Sequence, residues 1–75
     1  MSIRGTKTME IVSKILIELR KEKGLTQQEV ADYLKIDRSN YSKYELAKLE
    51  INIDMLRKLS KLYDVSTDYI LGLEK

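Results

Sequence analysis

The twenty residues Thr26–Glu45, TQQEVADYLKIDRSNYSKYE, leave this chain little freedom in how it folds. Thr26 followed by Glu29 has the capping-box spacing, and Val30, Ala31 and Leu34 then repeat at helical intervals, which predicts one short amphipathic helix. Asp37 is a second N-cap candidate. The helix it opens puts Tyr41, Tyr44 and Glu45 on one side, and Ser39, Ser42 and Lys43 roughly opposite, with Arg38 beside them on the first turn. Only Lys35, Ile36 and Asp37 remain for the connection, so the two helices must cross steeply rather than run antiparallel.

Two short helices crossing at a tight turn are the geometry of a helix-turn-helix. The outer face of the second carries side chains suited to the DNA major groove. Arg and Lys donate to guanine O6 and N7, Asn pairs with adenine, and Ser serves either base. The segment resembles the Cro/repressor type of helix-turn-helix regulator, whose usual run is close to LTQEELAxxLGVSRSTISxxE. The resemblance extends from about Leu16 to Leu73 and includes VSTDYILG near the C-terminus, close to that family's VSxDxLLG. It implies an all-α, five-helix, lambda-repressor-like domain with helices 2 and 3 forming the motif.

Composition narrows the alternatives. Seventy-five residues make one small domain, and the absence of cysteine and histidine excludes disulfides and the usual zinc frameworks, leaving apolar packing to hold the fold. With no cofactor expected, no His or Cys and no paired acids on a common face, the ordinary catalytic constellations are missing and an enzyme is not expected. The net charge of +2 is too small for binding through bulk electrostatics, so a nucleic-acid site depends on where the charges sit. The longest uninterrupted apolar run is Ile15–Ile17, so neither a membrane nor a signal segment is expected and the reading is cytoplasmic.

Around the motif, residues 1–8 read as a loose arm, in which fraying is favoured over a phosphate contact by Arg4 and Lys7, and residues 9–75 as the domain. Val12, Leu16 and Leu19 stripe a first helix from Met9 to Lys23, stopped by Gly24, while Ile11, Ile15 and Ile17 widen that stripe. Leu46–Ile51 reads as a loop. Asn52 caps a fourth helix striped by Ile53, Leu56, Leu59, Leu62 and Tyr63, and Ser66 caps a last one over Val65–Leu71 that closes near Gly72. Tyr41 and Tyr44 are in phase with the core rather than with a base-stacking face.

The resemblance implies roles for individual residues. Arg38, Ser39 and Lys43 become base readers, and Asn40 on the flank reaches either a base or a phosphate. Gln27 at the start of the second helix stands where the family binds a phosphate and sometimes braces a residue of the reading helix. Lys48 and Asn52 are further phosphate candidates, and Arg20 with Glu45 occupy positions of an ion pair linking helices 1 and 3. The implied function is a double-stranded DNA-binding regulator of repressor or controller type, acting as a homodimer on a palindromic operator without a small-molecule ligand. Tyr69, Ile70, Leu73 and the loop before helix 4 are the dimer candidates. The competing reading is an antitoxin-like or accessory protein-binding module, with Leu46, Leu49, Ile51 and Ile53 as its adhesive patch. The chain departs from the family at Lys35, Ala47 and Asp64, where glycine is usual, and at Ile51, where proline is common. Leu46 also departs, since its phase faces DNA.

Overall fold

The computed structural model describes residues 5–73. They form five helices and no strand: α1 Gly5–Lys23, α2 Gln27–Leu34, α3 Arg38–Glu45, α4 Ile53–Tyr63 and α5 Thr67–Ile70. The all-α, five-helix architecture read from the sequence is the observed one. None of these helices is long and apolar enough to cross a membrane.

Three of the five helices start at a side-chain cap. Thr26 accepts from the Glu29 N–H while the Glu29 carboxylate accepts from the Thr26 N–H, a complete capping box. The side chains of Asn52 and Ser66 accept from the backbone of Met55 and Tyr69 in the same way. Asp37 differs: its backbone is extended as at an N-cap, but its side chain makes no capping hydrogen bond. The first helix begins at Gly5, ahead of the Met9 start expected for an arm over residues 1–8. Met9 is buried, and its sulfur accepts from the Ile51 N–H at 3.3 Å, so that turn is anchored and no proline stops the helix from extending back. Met1–Arg4 and the Lys7 side chain lie outside the described residues.

All five helices stop by one device. A residue in the left-handed region follows the last turn, and the next N–H reaches back to the last-turn carbonyl five residues earlier. The left-handed residues are Gly24, Lys35, Ala47, Asp64 and Gly72, with φ between 55° and 76°. The closing bonds are Leu25 N–H to Arg20 O, Ile36 N–H to Ala31 O, Lys48 N–H to Lys43 O, Val65 N–H to Ser60 O and Leu73 N–H to Asp68 O, at 2.9 to 3.1 Å. Three of the five stops therefore place a Cβ where glycine is preferred, at about 1–2 kcal/mol each. The departures from the family at Lys35, Ala47 and Asp64 are these three positions.

The core joins Val12, Leu16 and Leu19 of α1 to Val30, Ala31 and Leu34 of α2, Tyr41 and Tyr44 of α3, Met55 and Leu59 of α4, and Ile70 of α5. Tyr41 and Tyr44 are core residues, packed edge-to-face with centroids 6.3 Å apart. The α4 stripe is shifted from its expected register at the N-terminal end. Ile53 is 75% exposed and Met55 is buried instead, because Ile53 opens the helix beyond the edge of the core while Met55 sits one turn before Leu59. On α1, Ile11 is exposed, so that broad stripe is not wholly buried.

Candidate nucleic-acid interface

The third helix is divided sharply between its two sides. Tyr41, Tyr44 and Glu45 are buried, at spacings of three and four residues, while Arg38, Ser39, Asn40 and Lys43 are exposed and Ser42 is half-buried. No other part of the described chain covers the outer side, so two cations, a hydroxyl and an amide face outward from a rigid scaffold. Lys48 and Asn52 are exposed just beyond α3. The Lys48 N–H closes the end of α3, which fixes the backbone that carries that side chain. Asn52 spends its Oδ1 on the Met55 N–H at 2.8 Å, which leaves the amide donors of this exposed residue facing outward.

The orientation of α3 is held by a polar cluster around Glu45. Arg20 from α1 donates through Nε to Glu45 Oε2 at 2.7 Å and through Nη2 to Oε1 at 3.1 Å, a bidentate pair, and its Nη1 donates to the Leu25 carbonyl. Tyr41 donates its hydroxyl to Glu45 Oε2 at 2.6 Å, and Gln27 donates its amide to Oε1 at 3.0 Å. Burial pushes the Glu45 carboxyl up, but hydrogen bonds from Arg20, Tyr41 and Gln27 outweigh it and hold it below the ordinary carboxylate value. The hydrogen bond to Glu45 raises the Arg20 guanidinium above its ordinary value against the opposing effect of burial. Burial, then donation to Glu45, raises the Tyr41 phenol. One carboxylate thus ties α1, α2 and α3 together directly behind the outward-facing side chains.

Sequence reasoning paired Arg20 with Glu45 but did not include Tyr41 or Gln27 in the cluster. Tyr41 lies four residues before Glu45, a spacing at which helix side chains meet, so that contact was open to discovery. Gln27 reaches Glu45 across 18 residues and has no local signal. Its carbonyl oxygen lies 3.5 Å from Arg38 Nη1.

The dimer candidates separate. Ile70 is fully buried, which removes it as a surface contact: in a four-residue helix it is the side chain turned inward against the core. Tyr69 and Leu73 are exposed, as are Leu46, Leu49 and Ile53 of the other apolar set. Ile51, placed in that second patch, is instead half-buried against the core.

Residues 16–70 match the helix-turn-helix family. The chain is 45% identical over 64 residues to the HTH-type transcriptional regulator ImmR of Bacillus subtilis, which covers 85% of this chain and 50% of ImmR. It is 46% identical over 56 residues to the SPbeta prophage-derived HTH-type transcriptional regulator YonR of the same organism, covering 75% of this chain and 52% of YonR. It is 45% identical over 58 residues to the regulator YobD, also of B. subtilis, covering 77% and 52%. The chain spans about half the length of these curated relatives, and no solved structure is significantly similar to it. With the motif residues, the two crossing helices and these matches in agreement, the chain belongs to the helix-turn-helix family, and it is similar over most of its length to HTH-type transcriptional regulators.

Proposed function

We propose that this domain reads a specific double-stranded DNA sequence by inserting α3 into the major groove, and that it acts as a homodimer on a palindromic operator. The observation that carries the reading is the uncovered outer side of α3, with Arg38, Ser39, Asn40 and Lys43 exposed while the opposite side is packed and hydrogen-bonded in place. Arg38 and Lys43 suit guanine edges, Ser39 suits either partner of a pair, and Asn40 suits adenine or a phosphate. Lys48, the Asn52 amide and the free N–H groups at the start of α2 suit the flanking phosphates. One α3 spans only a few base pairs, so useful discrimination requires a second copy about one helical turn away. Tyr69 and Leu73, or Leu46, Leu49 and Ile53, supply exposed apolar area for that pairing.

The second reading, a protein-binding module, is favoured by the exposure of Leu46 and Ile53, which a purely DNA-facing loop has no need of. Selection from random duplexes at several salt concentrations separates the two. A DNA reader yields a two-fold-symmetric consensus whose affinity falls steeply with salt. A module that binds an apolar partner yields no consensus, and its partner complex barely responds to salt.

A further inference from the structure

Leu46 breaks the polar character of the outer side of α3. Its N–H still reaches the Ser42 carbonyl at 3.0 Å, the bond of a continuing helix, so its side chain keeps the helical phase. Seven residues, almost two full turns, bring it into line with Ser39, and spacings of three and four place it beside Lys43 and Ser42. It is 59% exposed, although leucine is among the residues that burial favours most. Exposed Lys43 and Lys48 flank it. An apolar spot between two cations suits a polyanion that carries an apolar group better than an apolar protein surface, where the ammonium groups would have no counter-charge. DNA offers such a group. Of what base pairs present in the major groove, the thymine 5-methyl is apolar, while the nitrogens and oxygens donate or accept hydrogen bonds. A rise of about 1.5 Å per residue puts Leu46 about 10 Å along α3 from Ser39, within the roughly 12 Å width of the groove.

We infer that Leu46 is a specificity-determining residue: it packs on the 5-methyl group of a thymine in the major groove, at a different base pair from the one Arg38 reads. This role rests on the DNA-reading function proposed above and gives the exposure of Leu46 a use within it. Leu46 departs from the family pattern, so the preference is not one that the resemblance implies. Its selectivity comes from apolar contact alone. A cytosine in that place presents a bare C5 and an N4 amino group, and leucine laid over that donor would strip it of water without offering an acceptor. Arg38 and Lys43 read by hydrogen bonds near the start and middle of α3, and Leu46 adds a reading by shape at its end.

The test replaces each thymine of the selected duplex in turn by uracil, which keeps the hydrogen-bonding groups of thymine and removes only the methyl. The parent, Leu46→Ala and Leu46→Met domains are titrated against these duplexes, with thermal melts reading the fold and sedimentation the oligomeric state. For the parent, one thymine per half-site should be methyl-sensitive, with affinity falling about three- to fivefold for each methyl removed. That base pair should differ from the one that Arg38→Ala relaxes. Leu46→Ala should lose at least as much on the thymine duplex, bind thymine and uracil duplexes equally, and keep the parent's salt slope, since no phosphate contact is removed. Leu46→Met, still apolar, should keep the methyl sensitivity. A base-discriminating parent that is indifferent to every methyl, or a methyl effect that survives intact in Leu46→Ala, overturns the inference alone. A Leu46→Ala domain that weakens thymine and uracil duplexes equally and no longer dimerises also overturns it, and makes Leu46 a contact between copies. A parent domain with no base preference overturns the DNA reading and this role with it.

Discussion

Replacing Glu45 by alanine should strongly destabilise the domain, and the size of the effect follows from what the carboxylate holds. Its side chain is 4% exposed and that of Arg20 is 16% exposed, so their pairing is shielded from water. Removing Glu45 strands the Arg20 guanidinium, the Tyr41 hydroxyl and the Gln27 amide together. Breaking a buried pair by deleting one partner costs about 3–5 kcal/mol, because an uncompensated charge is left behind. A domain of 75 residues has about 4–11 kcal/mol in total. The melting midpoint should therefore drop by roughly 12–40 °C, read by circular dichroism at 222 nm. The combined variant Arg20→Met, Tyr41→Phe, Glu45→Leu removes the Arg20 and Tyr41 donors as well, leaving only the half-buried Gln27 amide, and should recover at least half of the loss, since apolar replacement of a whole buried pair is often neutral. A Glu45→Ala cost below about 1 kcal/mol, the range of an exposed pair, would refute the idea that this cluster holds α3.

The left-handed stops offer a gain of stability. Ala47→Gly should add about 0.5–1 kcal/mol, the strain relieved less the extra entropy lost on folding, with Lys35→Gly similar and Asp64→Gly smallest because aspartate tolerates this region; thermal melts of the three rank them. Stability should be flat near neutral pH and fall at both ends, as urea titrations across pH would show. Glu45 is lowered when folded, so its contribution is present above about pH 4.5 and is lost as pH falls through the lower folded value, a limb that Glu45→Gln should flatten. Tyr41, Tyr44 and Tyr63 are raised when folded, mainly by burial, so their contribution is complete below pH 10 and is lost above it, for Tyr63 as pH approaches about 12. The Tyr63 hydroxyl is buried without a hydrogen bond of ordinary geometry among the described residues, so Tyr63→Phe should be neutral or stabilising by about 1–2 kcal/mol in the same titrations.

The parts of this molecule legible in its sequence are those encoded locally. The caps at Thr26, Asn52 and Ser66 use side chains that reach only three residues ahead, and the two sides of α3 follow from helical spacing. The positions of Lys35, Ala47 and Asp64 drew attention through the resemblance alone, since lysine and alanine do not suggest a left-handed backbone and an aspartate only tolerates one. Long-range placement was opaque. A four-residue helix has too little periodicity to show that Ile70 turns inward, and Ile53 lies in phase with the α4 stripe yet falls beyond the core's edge. The start of α1 was hidden because its anchor is Met9 held by the backbone of Ile51, 42 residues away. The contact of Gln27 with Glu45 crosses the motif in the same way.

The central claim is that the outer side of α3 reads bases. Its most direct test is the affinity of the Arg38→Ala domain, measured against every single-base variant of the selected duplex and against random DNA. The account predicts a loss of about 1–3 kcal/mol on the selected sequence, collapse of preference at one base pair, a melting curve like the parent's, and little change on random duplex. Preserved preference at every position, or an equal loss on specific and random DNA, would contradict it.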